Sequence, residues 1–392
     1  MSKNANEQSI LDTNFKRVQQ NLLSHFEDMI PNDITKFPEI EKKVSGFTRG
    51  YIAQYRYNNG TVGKFCIKSF YNGDKDYYDN DIAELIREYI AGDVQRLLLY
   101  NRSPKISIIT QKGKKDRIYL GSKFLLSFLT YETLIDMVEP KDEEELKGEL
   151  RNVKGYNKIL AAGIILRDRD INNTGNIGIM ETYEDDSECL ALAWGKIDLG
   201  KTFARQGLDT NAEVKAELRN LLDLNEYANV DLQELSTELK NMLIILEQNQ
   251  QKLNSVIENK SSKLNENLNK NTKFYLYTDK NFNPRYNESK KITFIYSNKL
   301  KQFVSQDDEK FNLAQYFKEK LYSQMNFAKE LVHTLDLIIK IDDSEPIKTI
   351  DEYLDSEHED FLTWSMENTK ATNLTELKAS EKLTKLKEGP SA

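Results

Sequence analysis

Apolar and polar positions alternate through Ile52-Ala53-Gln54-Tyr55-Arg56-Tyr57, and this period of two predicts a strand running on from residues 44–51. Residues 63–70 read as a second strand, with Asn58-Asn59-Gly60 between them as a hairpin turn. After a polar loop at 71–80 the period becomes helical. Ile82, Leu85, Ile86, Tyr89, Ile90, Val94 and Leu97 share one face of a helix over 81–100. Two short strands follow at 105–110 and 117–120, around a turn at 111–114. Residues 141–166 have helical spacing, and their last part, 159–166, is apolar enough to be buried. A Gly- and Asn-rich loop at 167–176 leads into strands at 177–180 and 190–197, which flank the acidic turn Glu184-Asp185-Asp186.

Beyond residue 210 the texture changes. Residues 213–267 are rich in Leu, Lys, Glu and Asn at helical spacing, with almost no Gly or Pro. Strand-like pieces at 274–277 and 292–296 precede another helix at 313–340. Phe274, Tyr275, Tyr277 and Phe294 read as core. The first 40 residues form a polar leader with one amphipathic helix over 15–29, and residues 369–392 read as a flexible tail. No internal repeat is visible. The main boundary falls near 206–212.

Composition narrows the possibilities. At 392 residues the chain is long enough for two or three globular parts. Its net charge of −8 argues against nucleic-acid binding by bulk electrostatics. Cys66 and Cys189 are isolated, so neither a disulfide framework nor a CxxC metal knuckle is expected, and a reducing compartment is. The three histidines lie far apart and argue against a His-based zinc site. No apolar run approaches the roughly 20 residues that span a bilayer, and the N-terminus lacks the apolar core of a secretory signal.

Five positions then stand out as candidate chemistry. Lys68 ends the apolar strand Phe65-Cys66-Ile67-Lys68. Glu88 sits in an otherwise apolar helical stretch, where a carboxylate needs a partner, and Lys68 is the natural one. Glu84, one turn earlier, is the alternative. The loop Leu166-Arg167-Asp168-Arg169-Asp170-Ile171-Asn172-Asn173-Thr174-Gly175-Asn176 puts its acidic residues first and ends on Asn176 as a strand begins. Asp170 is the preferred proton acceptor, with Asp168 second. Asp198 ends the next strand, in Lys196-Ile197-Asp198-Leu199-Gly200. Phosphoryl transfer needs a cation on the phosphates, hard oxygen ligands for one or two Mg²⁺, and a carboxylate near the attacking hydroxyl. These residues follow the chain order in which kinase folds supply them.

In these segments the chain resembles the phosphoinositide 3-/4-kinase-like branch of the protein-kinase superfold, and more narrowly the lipid-kinase-like effectors that intracellular bacteria inject into host cells. The resemblance covers about residues 44–205. It implies an α+β, two-lobed kinase-like catalytic core with an α-helical C-terminal extension. The smaller lobe would span 41–122, the catalytic segment 123–210 and the helical part 211–368, with Tyr119-Leu120-Gly121-Ser122-Lys123-Phe124 near the hinge. It implies ATP with Mg²⁺ or Mn²⁺, and transfer to an inositol-ring hydroxyl of a phosphatidylinositol lipid. By carry-over, Lys68, Glu88 and Lys123 serve the nucleotide, Asp170 (or Asp168) is catalytic, and Asn176 and Asp198 hold metal. It also implies secretion into a host cytoplasm, a location peripheral to host membranes, and a possible host protein activator.

Departures from the family pattern keep other readings open. The loop lacks histidine, and Asp170 to Asn176 is one residue longer than the usual spacing. Gly46 and Gly50 alone do not form a glycine-rich loop. No Ala-Pro-Glu follows Asp198-Leu199-Gly200, which argues against a conventional peptide acceptor, and Lys201 and Arg205 could instead meet a phosphorylated head group. The alternatives are a protein kinase or an AMP transferase on the same fold, and a pseudokinase scaffold that binds a host protein.

Overall fold

The computed structural model describes residues 33–42, 49–72, 79–183, 190–203, 210–225, 230–277, 291–341 and 346–365, apart from residues 59, 126, 169, 172, 357, 359–360 and 362–363. The leader helix at 15–29, Gly46, the acidic turn at 184–186, Cys189, Arg205 and the tail from 369 lie outside them.

The first described strands are β1 (Glu39–Lys42), β2 (Gly50–Arg56) and β3 (Val62–Tyr71). Gly60, at φ 85°, turns the β2–β3 hairpin and supplies the left-handed conformation that its Asn-Asn-Gly signal requires. Helix α1 (Asp79–Leu99) follows, then β4 (Ile106–Gln111) and β5 (Lys114–Lys123), joined through Gly113 at φ 81°. These five strands form one antiparallel sheet in the order β1-β2-β3-β5-β4.

The two faces of this sheet follow from strand alternation. Phe65 and Ile67 point to one side, where they pack with Phe37, Ala53 and Ile109. Phe70 points to the other side, and with Ile118, Leu120, Leu85, Ile86 and Ile90 belongs to the main core beneath α1. Lys68 is two residues from Phe70 and shares its face. Gly50 stands opposite Lys68 in the register, and a Cβ there would lie 2.2 Å from the Ile67 carbonyl oxygen.

The next elements are β6 (Leu129–Thr130), α2 (Tyr131–Asp136), α3 (Glu143–Arg151), α4 (Tyr156–Ile165), β7 (Ile177–Tyr183) and β8 (Leu190–Lys196). The helix expected over 141–166 is in fact two. Gly155 breaks it at φ 93°, where a Cβ would lie 2.0 Å from an Arg102 guanidinium nitrogen. Helix α4 is buried along nearly its whole length, as its all-round apolar sequence requires. Strands β6, β7 and β8 form a second antiparallel sheet in that order.

The C-terminal part holds α5 (Thr210–Asn225), α6 (Leu232–Gln248), α7 (Gln250–Asn267), β9 (Phe274–Tyr277), β10 (Lys291–Ser297), β11 (Gln302–Ser305), α8 (Leu313–Ile341) and α9 (Pro346–Asp355). Asn249 ends α6 and begins α7, dividing the helical run expected over 213–267. Phe274 and Phe294 are fully buried and stack at 5.5 Å between ring centroids, so both are core, as expected. A single apolar core runs from Phe70 to Trp364 and joins the C-terminal helices to α1 and α4. The architecture is therefore mixed α/β with small antiparallel sheets, compatible with the α+β class expected. Among the described residues, no helix is long and apolar enough to cross a membrane.

Candidate functional site

Lys68 reaches the space between β3 and α1 and is 4% exposed. Its Nζ donates to Glu88 Oε1 at 3.0 Å and to Oε2 at 2.8 Å. The same ammonium lies 2.9 Å from Asp198 Oδ1. Glu88, flanked on α1 by the buried Tyr89 and Ile90, is 1% exposed. Between the two candidate glutamates, Glu88 is therefore the one that pairs with Lys68. Glu84 lies against Gly200, with Oε2 3.9 Å from Lys201 Nζ.

The electrostatics follow from one cation shared by two carboxylates. Burial opposes the charge on Lys68, but Glu88 and Asp198 outweigh it and hold the ammonium above the ordinary lysine range. Asp198 is also penalised by burial, yet Lys68 and the Gly200 amide bring its carboxyl down to about 2. Glu88 goes the other way. Burial pushes it up to about 7, with Lys68 opposing and Asp198 adding to the rise.

Asp198 occupies the left-handed region at φ 55°, a conformation aspartate tolerates better than most residues and one that recurs at functional sites. Its Oδ1 accepts the Gly200 amide at 3.2 Å. Arg87, buried on α1, donates from Nε to the Gly200 carbonyl at 3.0 Å and ties the helix to this turn. The β7–β8 ladder pairs Ile177 with Lys196. One step further, the Ile197 amide donates to the Asn176 carbonyl at 2.8 Å. Asn176 and Asp198 are thereby brought to the same end of one hairpin.

The two aspartates of the 167–176 loop separate clearly. Asp168 is fully buried. Its Oδ2 lies 2.9 Å from Lys196 Nζ, whose side chain also has no exposure, and its Oδ1 accepts the Asp170 amide at 3.0 Å. Lys196 further donates to the Asp170 carbonyl at 3.3 Å. Asp168 and Lys196 therefore hold the backbone that presents Asp170. The Asp170 carboxyl is half-buried. Desolvation raises its pKa, Asp168 and Asp198 add to the rise, and Lys196 and Lys201 oppose it.

Lys68, Glu88 and Asp198 are thus in direct contact. Asn176 is at the same hairpin end as Asp198, and the charge of Asp198 adds to the raised pKa of Asp170. Lys201 lies beside the group with its side chain about half exposed, at 48%. Lys123 is not among them. It pairs with Phe65, on the sheet face away from Lys68, and its ammonium lies 5.4 Å from the Tyr57 ring centroid. Sequence reasoning missed Arg87 and Lys196, two cations in apolar segments whose burial is set by tertiary packing. It also missed the buried pair Arg167–Glu213 at 2.9 Å, which ties the loop to α5, with the Arg167 guanidinium 3.9 Å over Phe327 of α8.

Chemically, Asn176 and Asp198 offer hard oxygens of the kind that Mg²⁺ or Mn²⁺ prefers, beside a buried cation suited to phosphate. Glu84, Glu88 and Asp198 also bring carboxylate oxygens within 4.8 Å of one another, but the Lys68 ammonium already bridges Glu88 and Asp198. The Lys68 ammonium thus occupies the space between two members of that trio, while Asn176 and Asp198 stand at the same end of the β7–β8 hairpin. A separate cavity of about 410 Å³, lined in part by Ser261, Asn265, Asn312 and Lys318, lies in the C-terminal part and contains none of these residues. No family model matches the chain, and no curated protein matches it.

Proposed function

We propose that this chain is an ATP-dependent phosphotransferase with a two-lobed, kinase-like catalytic core, and that its acceptor is an inositol-ring hydroxyl of a phosphatidylinositol lipid. The observation that carries this reading is Lys68 on β3, held at 2.8 Å by Glu88 of α1 and at 2.9 Å by Asp198 after β8. Kinase chemistry requires such a strand-lysine and helix-glutamate pair together with a metal-binding aspartate. The sheet order β1-β2-β3-β5-β4, with α1 against the face that carries Lys68, supports it.

In this reading Lys68 neutralises phosphate oxygens, and Glu88 fixes its ammonium. Asn176 and Asp198 hold Mg²⁺ or Mn²⁺, which when bound offsets charge on the phosphates. Asp170 accepts the proton of the attacking hydroxyl, and its raised pKa makes it a better base than an ordinary aspartate. Lys201, exposed beside the cluster, is available to an anionic head group. A role as a secreted effector peripheral to host membranes belongs to the same proposal and rests on the sequence resemblance.

The test is incubation with γ-labelled ATP, Mg²⁺ and phosphatidylinositol liposomes. Label is expected in the lipid, and its loss in Asp170→Asn. Label in protein alone would favour the protein-kinase alternative. Nucleotide binding without transfer would favour the pseudokinase scaffold.

A further inference from the structure

Helix α1 is gripped from two sides. On its inner side Glu88 meets Lys68 and Arg87 meets Gly200. On its outer side lies α7, from the C-terminal part. Lys260 of α7 is 8% exposed, and its Nζ donates to the Tyr89 carbonyl at 3.0 Å, one residue beyond Glu88. The same Nζ lies 3.1 Å from Asp93 Oδ2, and 3.8 Å from the Tyr89 ring centroid. A buried lysine this distant in sequence is costly to desolvate unless its partners are well placed, and here three contacts converge on it.

A second contact joins the same regions at the exit of β3. Asn72, 1% exposed, accepts the Asn269 amide at 2.8 Å and the Thr272 hydroxyl at 3.3 Å, and donates to the Asn267 carbonyl at 3.2 Å. Between the two contacts, Ile257 and Leu264 of α7 and Phe274 and Leu276 of β9 share one apolar core with Ile82, Leu85, Ile86 and Tyr89 of α1. The segment over 250–277 is thus a strut behind the helix that carries Glu88.

We propose that Lys260 is a positioning residue for phosphoryl transfer: through Tyr89 and Asp93 it fixes α1 so that Glu88 stays on Lys68, and the C-terminal part thereby performs within the chain what a separate activator would otherwise do. The proposal rests on the kinase-like reading of the site. In kinases the lysine–glutamate pair must be assembled for turnover, and the position of the helix controls it. Here its placement is set by contacts to Lys260, which lies 167 residues from Asp93 and 171 from Tyr89 along the same chain. Glu88 is then seated with no partner protein bound.

The experiment compares the wild-type chain with Lys260→Met, Lys260→Arg and Asn72→Ala, using purified protein alone, below the unfolding transition of every variant. Lys260→Met is expected to lower kcat about tenfold with KM for ATP within about twofold. Amide exchange is expected to quicken selectively over residues 82–97. Lys260→Arg is expected to recover both, because a guanidinium can still donate to Tyr89 and Asp93. Asn72→Ala is expected to act in the same direction, and it decides the matter if Lys260→Met does not fold. Unchanged kcat and unchanged exchange over 82–97 in the folded variants would overturn the strut. A wild-type protein with no turnover would instead count against the kinase-like reading, and the exchange of α1 would still decide whether Lys260 braces the helix.

Discussion

Lys196 and Asp168 form an ion pair of 2.9 Å in which neither side chain reaches solvent. They lie 28 residues apart, and the pair joins the end of β8 to the loop after α4. Removing one partner of such a pair leaves an uncompensated buried charge, at a cost of about 3–5 kcal/mol. Lys196→Met should therefore lower the midpoint of denaturant unfolding markedly, and turnover with it. The double variant Lys196→Met/Asp168→Leu should recover much of that stability. A single variant with an unchanged midpoint would contradict this reading of the pair.

Asp170 should behave in the opposite way. It is half-buried, and its amide and carbonyl, rather than its carboxylate, make the bonds to Asp168 and Lys196. Asp170→Asn is expected to keep stability within about 1 kcal/mol of wild type. It should lower label transfer by about 10²–10⁴-fold, the usual worth of a general base. Comparing unfolding midpoints with initial rates separates this residue from Asp168.

The raised pKa of Asp170 gives a pH signature. A base must be unprotonated to act, and burial, with Asp168 next, favours its protonated form. Turnover should fall as pH drops, with the fall centred above the ordinary aspartate value of 3.8. The pH–rate profile of the wild-type protein checks this, and a centre at or below 3.8 would remove Asp170 as the base.

Stability against pH should carry the mark of Asp198. Its folded-state pKa is depressed to about 2 from 3.8, so its contribution is complete above the unfolded value and disappears as pH falls through that window. Unfolding free energy should therefore decline between those two values. In Asp198→Asn the decline should be shallower and the stability at neutral pH lower. Equal slopes in the two proteins would show that the Lys68–Asp198 contact does not stabilise the fold.

Gly50 offers a test by sterics. A Cβ at this position would lie 2.2 Å from the Ile67 carbonyl and 3.3 Å from the Lys68 Cα. Both are backbone atoms and cannot swing aside. Gly50→Ala should push β2 from β3 where Lys68 is paired, costing about 1–3 kcal/mol and raising KM for ATP.

Much of the first half was legible in sequence because its patterns are local. The alternation at 52–57, the Asn-Asn-Gly turn and the seven apolar positions from Ile82 to Leu97 each specify an element without outside help. The breaks were harder to see. Gly155 interrupts an otherwise continuous helical pattern because Arg102 packs against it, and Asn249 divides two helices of the same composition. In the candidate site, Lys68 and Glu88 could be paired from sequence and they meet, whereas the direct contact of Asp198 with Lys68 was not legible, the sequence marking Asp198 only as a metal ligand. Asp170 could be ranked above Asp168, but the structural role of Asp168 was not legible, since it rests on burial against Lys196. Lys260 gave no local signal, because its partners are 167 and 171 residues away in sequence.

The measurement that bears most directly on the site is a calorimetric titration of Mg·ATP into the wild-type chain, Lys68→Met and Asp198→Asn, with folding of each checked by circular dichroism. The expected result is saturable binding of one nucleotide per wild-type chain, weakened at least tenfold by each substitution, which is about 1.4 kcal/mol, with Asp198→Asn also losing the dependence on Mg²⁺. Nucleotide binding of equal strength in all three proteins, or none in the wild type, would contradict a shared nucleotide and metal site at Lys68, Glu88 and Asp198.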